Sequence, residues 1–192
     1  QINIKDNYLN VTFKLWDVYK EKLLINKKIA NVSSNSWRVI SHIISNMIYE
    51  SVTGEKGYFD TKIVYIHEKT IKNKKQKRIA IMDYDGENHS FLTLGKNLVL
   101  TPRFAPNGKE VVYLSYEDNK PSVYRLNITS KKKKIIGNFE GMSFAPRFSP
   151  DGYNIVFSLT EKGGSNIFLL KINNKKTIRI TKNKYINTSP SY

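Results

Sequence analysis

The side chains that could do chemistry are few and scattered. His42, His67 and His89 fall in different predicted elements, and none has a second histidine or a carboxylate at metal-ligand spacing. There is no cysteine, which excludes a disulfide, a thiolate metal site and a cysteine nucleophile. No Gly-x-Ser-x-Gly elbow is present. Gly163-Gly164-Ser165 lacks the downstream Lys-Ser/Thr of a phosphate loop and reads as a plain loop. Asp83 and Asp85 read as turn residues before Gly86. Asn-x-Ser/Thr triplets at Asn10, Asn31, Asn88, Asn127 and Asn187 are what an Asn-rich chain produces by chance. The sequence predicts no enzyme, no metal and no cofactor.

A repeated octet remains. Thr101 to Gly108 reads Thr-Pro-Arg-Phe-Ala-Pro-Asn-Gly, and Ala145 to Gly152 reads Ala-Pro-Arg-Phe-Ser-Pro-Asp-Gly. A third copy begins at Ser189-Pro190, again 44 positions on. The recurring residues are Pro102, Arg103, Phe104, Pro106 and Gly108, then Pro146, Arg147, Phe148, Pro150, Asp151 and Gly152, then Pro190. Proline presets φ, Asp or Asn bonds forward to its own backbone, and glycine takes the positive φ, so each copy makes a tight reversal between strands. Phe104, Phe148 and Tyr192 are expected to fill the wedge between neighbouring sheets. Scaffolding, not chemistry, is the expected role of this motif.

Period and alternation place the elements around it. Residues 7–16 alternate, with Leu9, Val11, Phe13 and Leu15 on one face, and 23–30 supply a partner strand. Ser33-Ser34-Asn35-Ser36 offers N-cap oxygens. From Trp37 the apolar spacing changes to three and four, which predicts an amphipathic helix over 36–53 closed by Gly54. Everything after 60 reads as strands. Segments 79–82, 123–126 and 167–170 stand in the same 44-residue register. One complete unit holds four short strands, at 103–105, 110–116, 122–127 and 133–137. A four-stranded antiparallel unit of this length is a β-propeller blade.

The expected architecture is a partial α/β domain followed by a partial all-β propeller of three blades. Residues 1–55 form the end of the α/β domain and 56–192 the propeller. Within the latter, 57–100 is an incomplete blade, 101–144 and 145–188 are blades, and 189–192 begins the next. The absence of a start Met and the interrupted third copy predict an internal segment of a longer chain. Loops between second and third strands, and between blades, are the longer ones and the expected binding face.

The formal net charge is +16. Such an excess suits nucleic acid or an anionic membrane surface. Lysine supplies 26 of the 32 basic residues, however, beside abundant Asn and Ile, which is also the signature of AT-rich coding. Lys131 to Lys134 are expected on one rim of the propeller, and Lys72, Lys74, Lys75, Lys77 and Arg78 on the other. A split footprint argues against nucleic acid.

Three segments together resemble the TolB family, the periplasmic β-propeller proteins of the Tol-Pal system. They are Leu98 to Gly108, Gly137 to Gly152, and the helix exit Thr53-Gly54-Glu55-Lys56-Gly57-Tyr58-Phe59-Asp60-Thr61. The resemblance implies an N-terminal α/β domain, a six-bladed propeller and a first blade whose innermost strand comes from the far C-terminus. It implies a non-catalytic periplasmic scaffold that binds the peptidoglycan-associated lipoprotein Pal through propeller loops and supports outer-membrane integrity and constriction. It also implies contact with TolA through an N-terminal segment outside these residues, no nucleic-acid partner and no membrane insertion. Carried to this chain by repeat position, the partner-facing residues are Leu100, Thr101, Met142, Ser143, Phe144, Ala145, Thr188 and Ser189. The alternative is the propeller of a peptidase-type protein, gating a catalytic domain downstream.

Overall fold

Alternation and turn chemistry decide where the strands run, and side-chain locks decide how they are held. The computed structural model describes residues 1–117, 120–139, 143–161 and 163–192, with the backbone alone at 143, 144 and 161. Two compact units are present. One comprises Gln1–Lys62 with Asp83–Asp85, the other Ile63–Met82 with Gly86–Tyr192.

The first unit is a three-stranded antiparallel sheet and one helix. Its strands are β1 (Ile2–Lys5), β2 (Tyr8–Asp17) and β3 (Lys22–Ser33), in that order across the sheet. Strand β1 was not expected. It reaches β2 through Asp6 and Asn7, both left-handed (φ 49° and 64°), a pair that matches the twist of a hairpin without glycine. The β2–β3 ladder slips between Leu9 and Val11, where Asn31 is left-handed. The Asn10 side chain accepts from the Asn31 N–H at 3.0 Å, so the bulge leaves that donor satisfied.

Helix α1 (Trp37–Thr53) lays Ile40 and Ile44 on Leu9, Val11, Ile29 and Val32. The expected serine cap is absent. Ser36 makes no side-chain bond to the helix, and a short 3-10 turn at Ser34–Ser36 leads in, with the Trp37 N–H bonded to the Ser34 carbonyl. Gly54 closes the helix in the left-handed conformation (φ 75°), its N–H on the Glu50 carbonyl at 2.9 Å.

The helix exit returns onto the helix. A Cβ on Gly57 would lie 2.5 Å from the Asn46 Cα, so only glycine fits there. Asn46 Oδ1 accepts from the Phe59 N–H (2.8 Å), and its Nδ2 donates to Asp60 Oδ1 (2.9 Å). Tyr49, Tyr58, Phe59 and Tyr84 pack edge-on or stacked around this lock.

The second unit holds three sheets. Strands β4 (Lys62–Ile71), β5 (Lys74–Asp83) and β6 (Ser90–Phe91) form the first. Strands β7 (Val99–Phe104), β8 (Glu110–Glu117), β9 (Lys120–Asn127) and β10 (Lys133–Asn138) form the second, antiparallel throughout. Strands β11 (Ser143–Phe148), β12 (Asn154–Glu161), β13 (Gly164–Lys171) and β14 (Lys176–Arg179) form the third, also antiparallel.

The core lies between sheets. Ile79, Ile81 and Leu92 of the first meet Val111, Tyr113, Tyr124 and Leu126 of the second. Val112, Val123 and Ile136, on the other face of the second, meet Ile155, Phe157, Phe168 and Leu170 of the third. Two-sided burial explains why Val111 to Leu114 is a continuous apolar run.

The repeat extends to single hydrogen bonds. The Ala105 N–H meets the Glu110 carbonyl at 2.8 Å and the Ser149 N–H the Asn154 carbonyl at 2.9 Å. The Ile128 N–H bonds to Lys109 and the Ile172 N–H to Tyr153, both at 3.0 Å. Thr93 Oγ1 accepts from the Ile79 N–H, and Thr181 Oγ1 from the Ile167 N–H, both at 2.9 Å.

Two expectations change. Lys74 to Arg78 are not loop residues; they open β5, after a left-handed Lys72-Asn73 turn, and Lys75 and Lys77 pair with Glu68 across the hairpin. Phe104 and Phe148 pack half-buried on the two core clusters, and Tyr192 is exposed.

Candidate partner interface

In β7 and β11 the residues expected to face a partner are set by a bulge, not by a loop. Strand β7 begins at Val99 and β11 at Ser143, earlier than the sequence suggested. Leu100 pairs with Leu114, Ser143 with Leu159 and Phe144 with Ser158, so these residues extend the ladder. The register then slips, between Leu100 and Arg103 and again between Phe144 and Arg147. Alternation over so short a run does not reveal a strand that resumes beyond a slip, so 100–101 and 143–145 read as connector.

At both slips, and at Ser189 outside any described strand, the backbone turns left-handed. Thr101 has φ 46°, Ala145 φ 50° and Ser189 φ 55°, all immediately before the repeat proline. This conformation costs about 1–2 kcal/mol for an L-residue, and a β-branched threonine is an outlier there. Strain of this kind persists only where the surroundings fix it. Here Pro146 is fully buried, and Pro102 and Pro190 are half-buried. The Thr101 Oγ1 and the Arg147 Nε are buried without a hydrogen-bond partner. Arg103, the counterpart of Arg147, is exposed.

Strands β7 and β11 lie side by side, which brings Thr101 and Ala145 onto neighbouring strands. Thr188 and Ser189 are exposed and outside regular structure. They are tied to β13 by Asn187, whose N–H and Nδ2 both donate to the Ser165 carbonyl, at 2.8 and 3.0 Å. Beside it Ser165 and Ile186 form an isolated parallel bridge. Met142 lies outside the described residues, and for Ser143 and Phe144 only the backbone is described.

The turn that follows is a self-contained clasp. Asp151 Oδ1 accepts from the Tyr153 N–H at 2.9 Å and from the Ser149 hydroxyl. Those two donors hold the Asp151 carboxyl below its ordinary range. In the sister copy Asn107 Oδ1 accepts from the Lys109 N–H at 2.9 Å. Gly108 and Gly152 have φ of 64° and 76°. The Asn107 and Asp151 side chains are therefore consumed by their own turns, while Arg103 stays exposed.

The histidines are less isolated than their positions suggested. His42 Nε2 lies 3.2 Å from Asp85 Oδ2, which also accepts from Arg38. The His67 and His89 rings are 6.1 Å apart, with Phe91 edge-on to both. Among the described residues no group of three or more His, Cys, Asp or Glu could hold a metal ion. A cavity of about 370 Å³, lined by Leu92, Leu94, Tyr113, Ser115, Leu126 and Lys131 among others, went unseen in the sequence. Its lining joins the segment Leu92 to Asn97, which follows β6, to residues of β7, β8, β9 and β10, a juxtaposition that only the folded sheets create. No described helix is long and apolar enough to cross a membrane.

Comparison with known proteins gives this geometry a family. The family model described as the TolB beta propeller domain matches residues 49–192. The Tol-Pal system protein TolB of Pelagibacter ubique is 48% identical over 145 residues, which cover 76% of this chain and 32% of that protein. The protein of the same name from Paramagnetospirillum magneticum is 49% identical over 139 residues, covering 72% of this chain and 31% of that one. This chain thus spans about a third of the length of the curated relatives it matches. The crystal structure of TolB from Acinetobacter baumannii superposes with a TM-score of 0.87 at 28% identity, over 94% of this chain and 45% of that one. The tricorn protease shares the fold alone, at a TM-score of 0.52 and 18% identity. On its repeats, its propeller-type sheets and these matches, the chain belongs to the TolB beta-propeller family.

Proposed function

We propose that this chain is part of a non-catalytic scaffold of the Tol-Pal system, working in the periplasm and binding Pal through the strained positions before the repeat prolines. Three left-handed residues at one repeat position, Thr101, Ala145 and Ser189, carry the reading. Rigid, over-determined backbone of this kind recurs at ligand clamps. It would present Leu100 and Thr101, Met142 to Ala145, and Thr188 with Ser189 as equivalent contacts from successive blades. In this reading the second and third sheets are complete blades, 101–144 and 145–188. The first, 57–100, is a blade awaiting one more strand, and residues 1–55 belong to an α/β domain that continues N-terminally. TolA contact is assigned to a segment outside these residues. Linking Pal to that machinery would support outer-membrane integrity and constriction at division.

The test is capture of Pal by the full-length protein. Met142→Asp and Thr188→Asp are each expected to weaken capture by about tenfold or more, as loss of a buried interface contact does. Wild-type capture by both variants would remove the assignment of this face.

A further inference from the structure

We propose that the tip of the β2–β3 hairpin is a docking element for an anionic phospholipid surface, resting at headgroup level without crossing the bilayer. The tip carries apolar side chains that the fold leaves outside. Val18 is 81% exposed, Trp16 is 54% exposed, and Tyr19 is fully exposed. Leu24, the extra residue where the ladder slips between Leu15 and Trp16, is exposed beside them. Single exposed apolar residues are ordinary, but four grouped at the end of one hairpin are not.

The tip is also rigid. Asp17 Oδ1 accepts from the backbone N–H groups of both Tyr19 and Lys20, each at 3.1 Å, and Glu21 closes the loop in a left-handed conformation (φ 48°). The Asp17 clasp fixes the loop backbone, so little ordering remains to be done on contact.

Charge selects the occupant. The hairpin bears Lys14, Lys20, Lys22, Lys27 and Lys28 against two carboxylates, Asp17 and Glu21. All five lysines are exposed. Asp17 is occupied by its own turn and by Lys20 at 4.0 Å. An aromatic and aliphatic tip with a cationic collar behind it is the profile of a segment seated at a lipid interface. There Trp and Tyr sit at the headgroup level and lysines meet anionic lipid. An apolar pocket on a protein would account for the tip and leave the collar unexplained.

The test is flotation of the intact protein with vesicles of phosphatidylglycerol and phosphatidylethanolamine, beside vesicles of phosphatidylcholine alone. Binding is expected on the anionic vesicles and not on the neutral ones. The double variant Val18→Asp, Tyr19→Asp is expected to lower the bound fraction about tenfold, and Lys20→Glu with Lys22→Glu to do the same. With Trp37→Phe leaving Trp16 as the one indole, anionic vesicles should shift its emission to the blue. No flotation, equal flotation with neutral vesicles, or flotation that survives the tip variant would each overturn the proposal. So would tip-dependent capture of a protein without vesicle binding. Pal capture by the same variants should stay at the wild-type level, which keeps this outcome separate from that of the Pal interface.

Discussion

The two compact units bury their strands in opposite ways. In the unit of Ile63–Met82 and Gly86–Tyr192, the middle sheet is covered on both faces, and each apolar cluster joins residues from two sheets. In the unit of Gln1–Lys62 and Asp83–Asp85, the sheet has one helix on one face and exposed side chains on the other. Its fully buried apolar cluster is Leu9, Val11 and Ile40. Polar and aromatic locks replace burial there: Asn10 on Asn31, Asn46 on Phe59 and Asp60, Arg38 on Asp85, Lys62 on Asp83, and the rings around Tyr58. Cohesion in one unit therefore comes from the stacking of sheets. In the other it comes from a few specific hydrogen bonds, each worth about 1 kcal/mol net.

This contrast can be broken by experiment, since both tryptophans, Trp16 and Trp37, lie in the first unit. Tryptophan emission reports that unit, while far-ultraviolet dichroism is dominated by the strands of the other. The largest effect is expected from Phe157→Ala. Its ring is fully buried between Phe139, 4.4 Å away by centroid, and Phe168 at 6.0 Å. Removal should cost about 3–5 kcal/mol. The dichroism midpoint in urea should fall and the emission midpoint should stay; a shared shift of both would show a single cooperative body.

Gly57→Ala is the converse. The new methyl group meets the Asn46 backbone and the oxygen that holds the Phe59 N–H. Overpacking of this kind costs about 1–3 kcal/mol. It should lower the emission midpoint first.

The smallest effect sharpens the comparison by charge. In the second unit Arg125 forks onto Glu110, with Nε to Oε1 at 2.8 Å and the second nitrogen to Oε2 at 2.5 Å. Arg125 holds the Glu110 carboxyl below its ordinary range. A carboxyl lowered in the folded state stabilises above its unfolded pKa, and that contribution is lost as pH falls through the folded one. Glu110→Gln should therefore destabilise by about 1–2 kcal/mol at neutral pH. The gap from wild type should shrink steadily below about pH 4. A gap that stays constant through acid would mean that the pair contributes geometry and not charge.

Much of the second unit was legible because its turns are written in residue types. Pro106-Asn107-Gly108 and Pro150-Asp151-Gly152 admit few backbone conformations, and their spacing carries the whole repeat. Strand starts were less legible. Val99 to Thr101 belong to β7 only because a bulge lets the ladder continue past a left-handed threonine, and no propensity predicts threonine there. Strand β5 opens with lysines, two of which pair through their ammonium groups with Glu68 across a hairpin, against their usual place in loops. Strand β1 is four residues long and turns on Asp6-Asn7, too short a pattern to separate from a loop. The proposed partner face rests on the family resemblance carried over by repeat position, and the positive φ that recurs at Thr101, Ala145 and Ser189 is a backbone property that side-chain types do not spell.

One departure from the repeat says how such a chain can change over time. The threonine that receives an amide in the first and third sheets, Thr93 and Thr181, is Gly137 in the second. The Phe139 ring covers that glycine so closely that even a methyl group would collide with it. A copy has exchanged a hydroxyl for an aromatic lid; its ladder slips there, between Ile135 and Gly137, while the strand order across the sheet is kept. Duplicated units of this kind can drift independently in side-chain chemistry, each free to acquire its own specificity, because the inherited backbone is guarded by the turns and not by any single interior bond.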